Sequence, residues 1–294
     1  MRYEGRVFRP PSEAYSLIIQ ATVGCSHNKC RFCDMYKEKS FHVRPLEEVV
    51  EDLSQAREAY GPVGRIFLAD GDALVRRFSD LEAILYAIQE IFPECGRVTS
   101  YGSPRSILIK TPEQLRRLRA LGLKMIYMGL ESGSDAILTH VNKGETASEI
   151  IKAGQMVREA GMKLSVTAIS GLGGKAHWQE HAVKTAEALN AMNPEYIGLL
   201  TFRLEGQAPM IAEVERGDFQ MLTPIEVAQE TLRMLEHLDS PGSVFRSNHI
   251  SNYISLAGTL NQDKPRMLAE LHKALGGHVA FKSEEMRNWD LNFH

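Results

Sequence analysis

Three of the four cysteines in this chain lie within nine residues, in the stretch CSHNKCRFC. The spacing Cys25-x4-Cys30-x2-Cys33 places three soft thiolates on one loop, and such ligands select zinc or an iron–sulfur cluster. The fourth ligand decides between these centres. His27 would complete a structural zinc site, whereas a cubane held by three cysteines leaves one iron open to a small molecule. The remaining cysteine, Cys95, follows the second predicted helix and is a poor fourth ligand.

Composition and charge limit the class of protein. The 294 residues are 44% hydrophobic and 24% charged, which is ordinary for a globular domain. A formal net charge of -3 gives no overall basic field, so nucleic acid is not indicated as a partner, although a local basic face is not excluded. The start of the chain lacks the apolar core of a secretory signal, and no segment approaches the ~20 apolar residues of a membrane helix. We therefore expect a cytoplasmic protein that makes no membrane contact, in which the clustered thiols bind a metal or act in catalysis rather than form disulfides.

Apolar segments rich in β-branched residues alternate along the chain with segments of helical periodicity. The predicted strands are 16–24, 65–70, 97–103, 124–132, 163–174 and 196–204. The helices predicted to follow them are 44–60, 79–92, 111–122, 146–161, 177–192 and 223–238, with Ser79 and Thr111 as N-caps. Six such units predict a parallel sheet covered by helices, and both a partial barrel and an open doubly wound sheet satisfy the pattern.

Polar and glycine-rich residues follow the predicted strands, and their placement favours the barrel. They are 25–33, 70–72, 100–103, 131–132 and 170–174. Barrel enzymes build their sites at this end of the strands. We therefore expect an α/β fold, a partial (β/α)6 TIM-like barrel with a short C-terminal extension. The expected divisions are a lead-in at 1–14, the barrel at 15–240 and an extension at 241–294 in which a polar strand or loop and a helix cap the open side.

The cysteine triad follows the first strand, and the aromatic Phe32 stands directly before its last cysteine. Together with MGLESGSDAILTHVNKG (128–144) and AGMKLSVTAISGLGG (160–174), these features resemble the radical S-adenosylmethionine (radical SAM) superfamily. The similarity covers about residues 15–205 and is closest to the branch of anaerobic coproporphyrinogen dehydrogenase and the Elongator-type tRNA-modifying enzymes. One departure is the spacing: Cys-x3-Cys-x2-Cys is commonest in the superfamily, whereas four residues separate Cys25 from Cys30 here.

The resemblance implies a chemistry and a set of ligands. Cys25, Cys30 and Cys33 would hold a [4Fe-4S] cluster whose open iron binds S-adenosylmethionine. Its reductive cleavage would give a 5′-deoxyadenosyl radical that abstracts a substrate hydrogen, with electrons from an external donor such as flavodoxin or ferredoxin. The residues implied in binding S-adenosylmethionine are Asp70, Gly71 and Asp72 for the methionine amino group, Glu131 and Ser132 for the ribose or the carboxylate, Phe32 or Tyr36 for the adenine, Ser170 and the turn after it for the adenosyl group, and Arg203 for the carboxylate.

Other interpretations remain open for these residues. Taken alone, Asp70-Gly71-Asp72 is an ordinary turn and Glu131-Ser132 a helix cap with a nearby acid. The zinc interpretation of the cysteines corresponds to a different function, a non-catalytic zinc or iron–sulfur binding module on an α/β scaffold. Since Cys95 is the only cysteine outside the triad, a second complete cysteine-held cluster is excluded.

The segment FRSNHISNY (245–253) crowds polar side chains into a predicted strand. Such a segment forms either a satisfied polar network or a substrate-binding edge. Arg246, Asn248 and His249 are the candidate substrate contacts. The substrate itself stays open among porphyrin-type molecules, nucleotides, a modified peptide and a small metabolite.

Overall fold

The computed structural model describes residues 1–287 of the chain. The strands in that range are β1 (Leu17–Gln20), β2 (Thr22–Val23), β3 (His42–Val43), β4 (Arg65–Ala69), β5 (Arg97–Tyr101), β6 (Leu123–Glu131), β7 (Lys163–Ser170), β8 (Tyr196–Thr201), β9 (Val244–Ser247) and β10 (Leu256–Thr259). The α-helices are α1 (Leu46–Tyr60), α2 (Phe78–Ile91), α3 (Pro104–Leu108), α4 (Pro112–Ala120), α5 (Asp135–His140), α6 (Ala147–Glu159), α7 (Gly174–Met192), α8 (Met210–Arg216), α9 (Pro224–His237), α10 (Lys264–Leu275) and α11 (Glu284–Arg287).

Eight strands form one sheet in the order β1-β4-β5-β6-β7-β8-β9-β10. The neighbours β1 and β4, β4 and β5, β5 and β6, β7 and β8, and β8 and β9 are parallel, whereas β10 runs antiparallel to β9. Within residues 1–287, β1 and β10 are edge strands, so the sheet is open. The α/β fold with a mostly parallel sheet confirms the predicted class, that of a partial TIM-like barrel.

The chain divides into two compact units. Unit 1 comprises residues 1–28, 35–128 and 152–164, and unit 2 comprises residues 29–34, 129–151 and the chain from Ser165 onward. In unit 1, helices α1 and α2 pack together, and in unit 2 helix α9 packs against α7 and α10.

Strand and helix periodicity explain these elements. Strand β7 begins with the exposed Lys163 and then alternates buried and half-buried side chains, as a strand with one covered face does. Helix α1 buries Val49, Leu53 and Ala56, whose spacing places them on one stripe of the helix. These two elements therefore each present one apolar face to a core.

Several predicted boundaries were wrong. The first strand stops at Gln20, because β2 leaves the main sheet to pair antiparallel with β3. The fifth ends at Ser170, since helix α7 already begins at Gly174. Of the polar segment 245–253, only residues 245–247 lie in a strand, β9. The C-terminal part of the chain adds β9 and β10 to the sheet beyond the six strands predicted.

The two predicted N-caps had opposite outcomes. Thr111 caps α4 in a capping box, with its Oγ1 accepting from Gln114 N at 3.2 Å and Gln114 Oε1 accepting from Thr111 N at 3.0 Å. Ser79 is not a cap, because α2 starts at Phe78 and its N-cap position is Arg77. Half-buried Phe78 stands three residues before Leu81 and extends the apolar stripe of α2 beyond the serine.

None of the helices in residues 1–287 is both long and apolar enough to span a membrane.

The cap assignments lead to a stability prediction. Thr111→Ala removes an acceptor for an otherwise unsatisfied helix amide and should lower the free energy of unfolding by about 1 kcal/mol. Ser79→Ala removes an exposed hydroxyl that donates to the half-buried Asp80 side chain, so the change should stay within about 0.5 kcal/mol. Urea denaturation followed by circular dichroism measures both. Equal losses in the two variants would contradict the assignment of Thr111 as the functional cap.

Candidate cofactor site

The cysteine loop begins in unit 1, directly after β2. Gly24 turns the chain with a φ of 75°, and its N–H donates to Asp70 Oδ2 at 3.0 Å. Ser26 Oγ donates to Asp72 Oδ2 at 2.5 Å. The residues on either side of Cys25 are therefore held by the two carboxylates that follow β4.

Asp70 is completely buried, and its two oxygens differ. Oδ2 accepts from Gln20 Nε2 at 2.9 Å and from Lys39 Nζ at 2.7 Å, in addition to Gly24 N. Oδ1 has no hydrogen-bond partner among the described residues. A buried carboxylate oxygen in this state is an acceptor that an N–H group of a ligand would satisfy.

Asp72 is also buried, but both of its oxygens are in use. Oδ1 accepts from Ser103 N at 3.0 Å and from Ser106 Oγ at 2.5 Å, and Oδ2 accepts from Ser103 Oγ at 2.8 Å as well as from Ser26. The Asp72 carboxylate thus ties the cysteine loop to the start of α3. Sequence reasoning predicted a cofactor contact here and missed these serine partners.

Gly71, between the two aspartates, lies where no side chain fits. A Cβ there would stand 2.6 Å from Tyr36 Cε2 and 3.1 Å from Cys25 Cβ. The Tyr36 ring is buried and packs edge-on against Phe8 with ring centroids 5.3 Å apart. The glycine therefore lets the turn after β4 approach the first cysteine closely.

The cysteine loop continues in unit 2, where Arg31 anchors it. Its N–H donates to Val141 O at 2.9 Å, and its carbonyl accepts from Met210 N at 3.1 Å. Its guanidinium pairs with Glu213 at 2.5 Å, and the second oxygen of Glu213 lies 3.0 Å from His140 Nε2. The residue after Cys30 is thus fixed through both its backbone and its side chain.

The residues on either side of Cys33 also have structural contacts in unit 2. Phe32 packs against a buried apolar cluster made of Ile137, Val141, Leu172, Phe202, Met210 and Phe219. Asp34 Oδ1 accepts from Gln207 N at 2.7 Å, and the carboxylate lies over Gly206, where a Cβ would be 1.9 Å away. The neighbours of Cys33 therefore hold the loop in place.

The end of β6 carries the predicted pair Glu131 and Ser132 in an unusual conformation. Glu131 has a φ of 63°, and Ser132 N donates to Leu130 O at 2.8 Å, which forms a γ-turn centred on Glu131. A left-handed conformation is rare for a glutamate and persists only when surrounding contacts enforce it. Ser132 is buried, and its Oγ accepts from Ser134 N at 3.1 Å.

Lys143 is a residue that the sequence prediction missed. Its Nζ lies 3.0 Å from Glu131 Oε1, and the two groups fill the space over Gly129. Burial lowers the pKa of Lys143, but the negative charges of Glu131 and then Cys30 raise it above its ordinary value overall. The lysine lies inside the stretch 128–144 that carries the family resemblance, so its position was visible in the sequence but its partner was not.

A buried histidine and glutamate connect the ends of β6 and β7. His181 Nδ1 on α7 lies 3.0 Å from Glu230 Oε1 on α9, and neither residue is exposed. Glu230 Oε2 accepts from Ser170 Oγ and, at 2.6 Å, from Gly171 N. His181 Nε2 lies 3.3 Å from Glu131 O. Burial lowers the pKa of His181, but the Glu230 carboxylate raises it above its ordinary value overall.

The remaining predicted residues lie in less enclosed places. Arg203 stands two residues beyond β8 rather than in the strand, with its Nε 2.9 Å from Glu205 Oε1 and its Nη1 donating to Arg287 O at 2.7 Å. Arg246 is exposed in β9, whereas Asn248 and His249 are exposed in the connection after it. His249 Nδ1 lies 2.9 Å from Ser251 Oγ.

The cysteines themselves form no disulfide, and all four are half-buried. Cys95 precedes β5, whereas Cys25 follows β2, so the two lie at opposite ends of the strands of unit 1. Burial raises the pKa of the Cys95 thiol. Within residues 1–287, no three or more His, Cys, Asp or Glu side chains are grouped in a way that would hold a metal ion.

The chain matches the Radical SAM superfamily over residues 19–186, more than half of its length, and belongs to that superfamily. The chain is therefore of the radical SAM enzyme class, and its cofactors are a [4Fe-4S] cluster and S-adenosylmethionine. The residues present fit the cluster and S-adenosylmethionine. Three thiols outside any disulfide suit a cubane with one open iron, and the buried Asp70 Oδ1, which has no hydrogen-bond partner among the described residues, could accept a hydrogen bond from the cofactor.

Individual relatives are distant. The 4′-phospho-dehydrooxetanocin synthase of Priestia megaterium is 24% identical over 168 residues, which is 51% of this chain and 23% of that protein. A second curated relative is matched over 34% of its length, so the chain spans at most about a third of either. The structure resembles coproporphyrinogen III oxidase (HemN) from Escherichia coli with a TM-score of 0.54, 16% identity, and coverage of 75% of this chain and 50% of that one. Methylornithine synthase (PylB) gives a TM-score of 0.51, 13% identity, and coverage of 94% and 85%.

Gly71 provides a direct test of the site's packing. Gly71→Ala should displace the Tyr36 ring or Cys25, lowering the free energy of unfolding by about 1–3 kcal/mol and reducing the iron bound after anaerobic reconstitution. Gly96→Ala is the matched control, because a Cβ there meets nothing within 4 Å. Urea midpoints and colorimetric iron and sulfide per chain are the measurements. Normal iron content and stability in Gly71→Ala would show that the close approach is not required.

Proposed function

We propose that this enzyme reductively cleaves S-adenosylmethionine and uses the product radical to abstract a hydrogen atom from its substrate. When bound, the cluster and cofactor supply one-electron cleavage of the sulfonium C5′–S bond, which gives methionine and a 5′-deoxyadenosyl radical. The observation that carries the proposal is the cysteine loop itself. The residues between and beside the three cysteines, rather than the cysteines, make the contacts described above that hold the loop in place. Electrons come from an external donor such as flavodoxin or ferredoxin.

Cys25, Cys30 and Cys33 are proposed as the cluster ligands. The contacts of Ser26, Arg31 and Asp34 support this role because they fix the backbone between and beside the cysteines. The Lys143 ammonium adds a positive charge that acts on Cys30 and offsets the negative charge of its thiolate. A cluster held by thiolates also suits the reducing cytoplasm proposed from the cysteine content.

The contacts proposed for the methionine part of S-adenosylmethionine begin with the turn after β4. Asp70 Oδ1, buried and without a partner among the described residues, is suited to accept from the amino group. Gly71 allows the close backbone approach, and Asp72 acts indirectly by holding Ser26. Arg203 is proposed for the carboxylate, for which it must give up its contact with Glu205.

The ribose and adenine contacts are proposed at β6, β7 and the aromatic residues. The γ-turn turns the backbone sharply at Glu131 and Ser132, which suits contact with the ribose hydroxyls. Ser170 has its hydroxyl occupied by Glu230, so its share in binding the adenosyl group would come from the backbone. Phe32 and Tyr36 are the candidates for contact with the adenine.

Substrate contact is proposed for the C-terminal extension, residues 241–294 of the expected division. Arg246 pairs in register with Gly198 on one side and Ala257 on the other, so small residues leave its guanidinium accessible. Asn248 and His249 follow it on the exposed connection. These three side chains offer hydrogen-bond donors and charge for a polar substrate.

The first experiment measures 5′-deoxyadenosine by mass spectrometry after anaerobic reconstitution, dithionite reduction and addition of S-adenosylmethionine. The wild-type protein should produce it, and Cys33→Ala should not, because the cluster loses one of three ligands. Cys95→Ala is the matched control and should retain the activity, since that thiol lies at the other end of the strands of unit 1.

Two results would overturn the proposed function. Wild-type protein that binds iron and sulfide but leaves S-adenosylmethionine intact would remove the cleavage reaction. Equal loss of activity in Cys95→Ala and Cys33→Ala would contradict the assignment of the triad, without Cys95, as the ligands of the cluster.

A further inference from the structure

The buried pair of His181 and Glu230 has no part in the proposed chemistry, yet its three polar contacts with other residues all lead to the ends of two strands. Glu230 binds Ser170 and Gly171 at the end of β7, and His181 binds the carbonyl of Glu131 at the end of β6. Helices α7 and α9 each contribute one member of the pair. The pair therefore links the ends of β6 and β7 to helices α7 and α9.

Opposite an ionised Glu230, the hydrogen bonding of His181 is that of a charged imidazole. Nδ1 faces a carboxylate and Nε2 faces a carbonyl oxygen, so both neighbours are acceptors. With Glu230 ionised, a neutral imidazole, which carries only one N–H, would leave one of these contacts without a proton. A protonated ring donates to both, and the fully buried Glu230 carboxylate balances its charge.

The contact with Glu131 falls on a strained residue. Glu131 occupies the left-handed region with a φ of 63°, which a glutamate adopts only under external constraint. The bond from His181 Nε2 to the Glu131 carbonyl is one such constraint. One helical turn later on α7, Thr185 Oγ1 accepts from Gly133 N at 3.0 Å. Helix α7 therefore holds the end of β6 and the residues after it through two hydrogen bonds.

We propose that His181 and Glu230 form a positioning pair that holds the β6 and β7 strand ends in the conformation that binds S-adenosylmethionine. The inference rests on the proposed function, in which Glu131, Ser132 and Ser170 contact the cofactor. The hydrogen bonds of the pair among residues 1–287 go to Ser170, Gly171 and Glu131 and to no cluster ligand, so its loss should affect the affinity for S-adenosylmethionine and not the binding of the cluster.

The test uses four variants of the full-length, reconstituted enzyme. His181→Gln keeps an amide donor that can reach the Glu131 carbonyl, whereas His181→Ala removes both donors. Glu230→Gln keeps the volume but removes the charge. His177→Gln, on the exposed face one turn earlier in α7, is the control for a histidine change in the same helix.

The measurements are iron content, the electron paramagnetic resonance spectrum of the reduced cluster with and without S-adenosylmethionine, and the dissociation constant for S-adenosylmethionine from equilibrium dialysis. In Glu230→Gln and His181→Gln we expect unchanged iron content, an unchanged spectrum without the cofactor, and a dissociation constant about tenfold higher. The apparent KM for S-adenosylmethionine should rise more than kcat falls. His181→Ala should show the largest effect and His177→Gln none.

Unchanged affinity in both Glu230→Gln and His181→Gln overturns the proposal. So does a loss of affinity that only matches a loss of iron and of folded protein in urea denaturation, because the pair would then be merely structural. If wild-type protein itself neither binds nor cleaves S-adenosylmethionine, the proposed function fails, and that result is read from the wild type before any variant is compared.

Discussion

A loop that offers three thiolates to one cluster must be held by contacts that leave its sulfur atoms available, and most other features of the site follow from this constraint. The structure meets it with buried carboxylates. In unit 1, Asp70 and Asp72 bind the chain on either side of Cys25, and in unit 2, Glu213 binds Arg31 next to Cys30. Burying a carboxylate is costly unless its oxygens are hydrogen-bonded, and the serines and amides around Asp72 provide that compensation.

The same logic separates two kinds of acid at the strand ends. Asp72 and Glu230 have both oxygens engaged by the protein, which makes them supports for the residues around them. Asp70 has one engaged oxygen and one buried oxygen without a partner among the described residues. In the sequence, Asp70 and Asp72 are two aspartates of the same turn and nothing distinguishes their roles. Their hydrogen-bond partners in the structure give them different roles.

The predicted caps show where local sequence is sufficient. Thr111 is followed by Pro112 and by Gln114, and local signals of this kind act within one helical turn, so the cap is readable without the fold. Ser79 carries the same type of signal, with Glu82 three residues later, yet packing of Phe78 starts the helix earlier. The short helices α3, α5 and α8 were not predicted, because five to seven residues give too little periodicity to recognise.

The sequence by itself determined the parallel α/β fold, the six strands β1, β4, β5, β6, β7 and β8, and the three thiolates on the loop after the first predicted strand. These features are encoded by periodicity and by ligand type, both of which are local. Only the tertiary structure decided the partners of the charged groups: Lys143 for Glu131, three serines for Asp72, and Glu230 for His181. The last two residues lie 49 positions apart on different helices, and no periodic pattern records which helix faces come together. Packing brings these groups into contact, and the low polarity of the interior then requires that each of them find a partner.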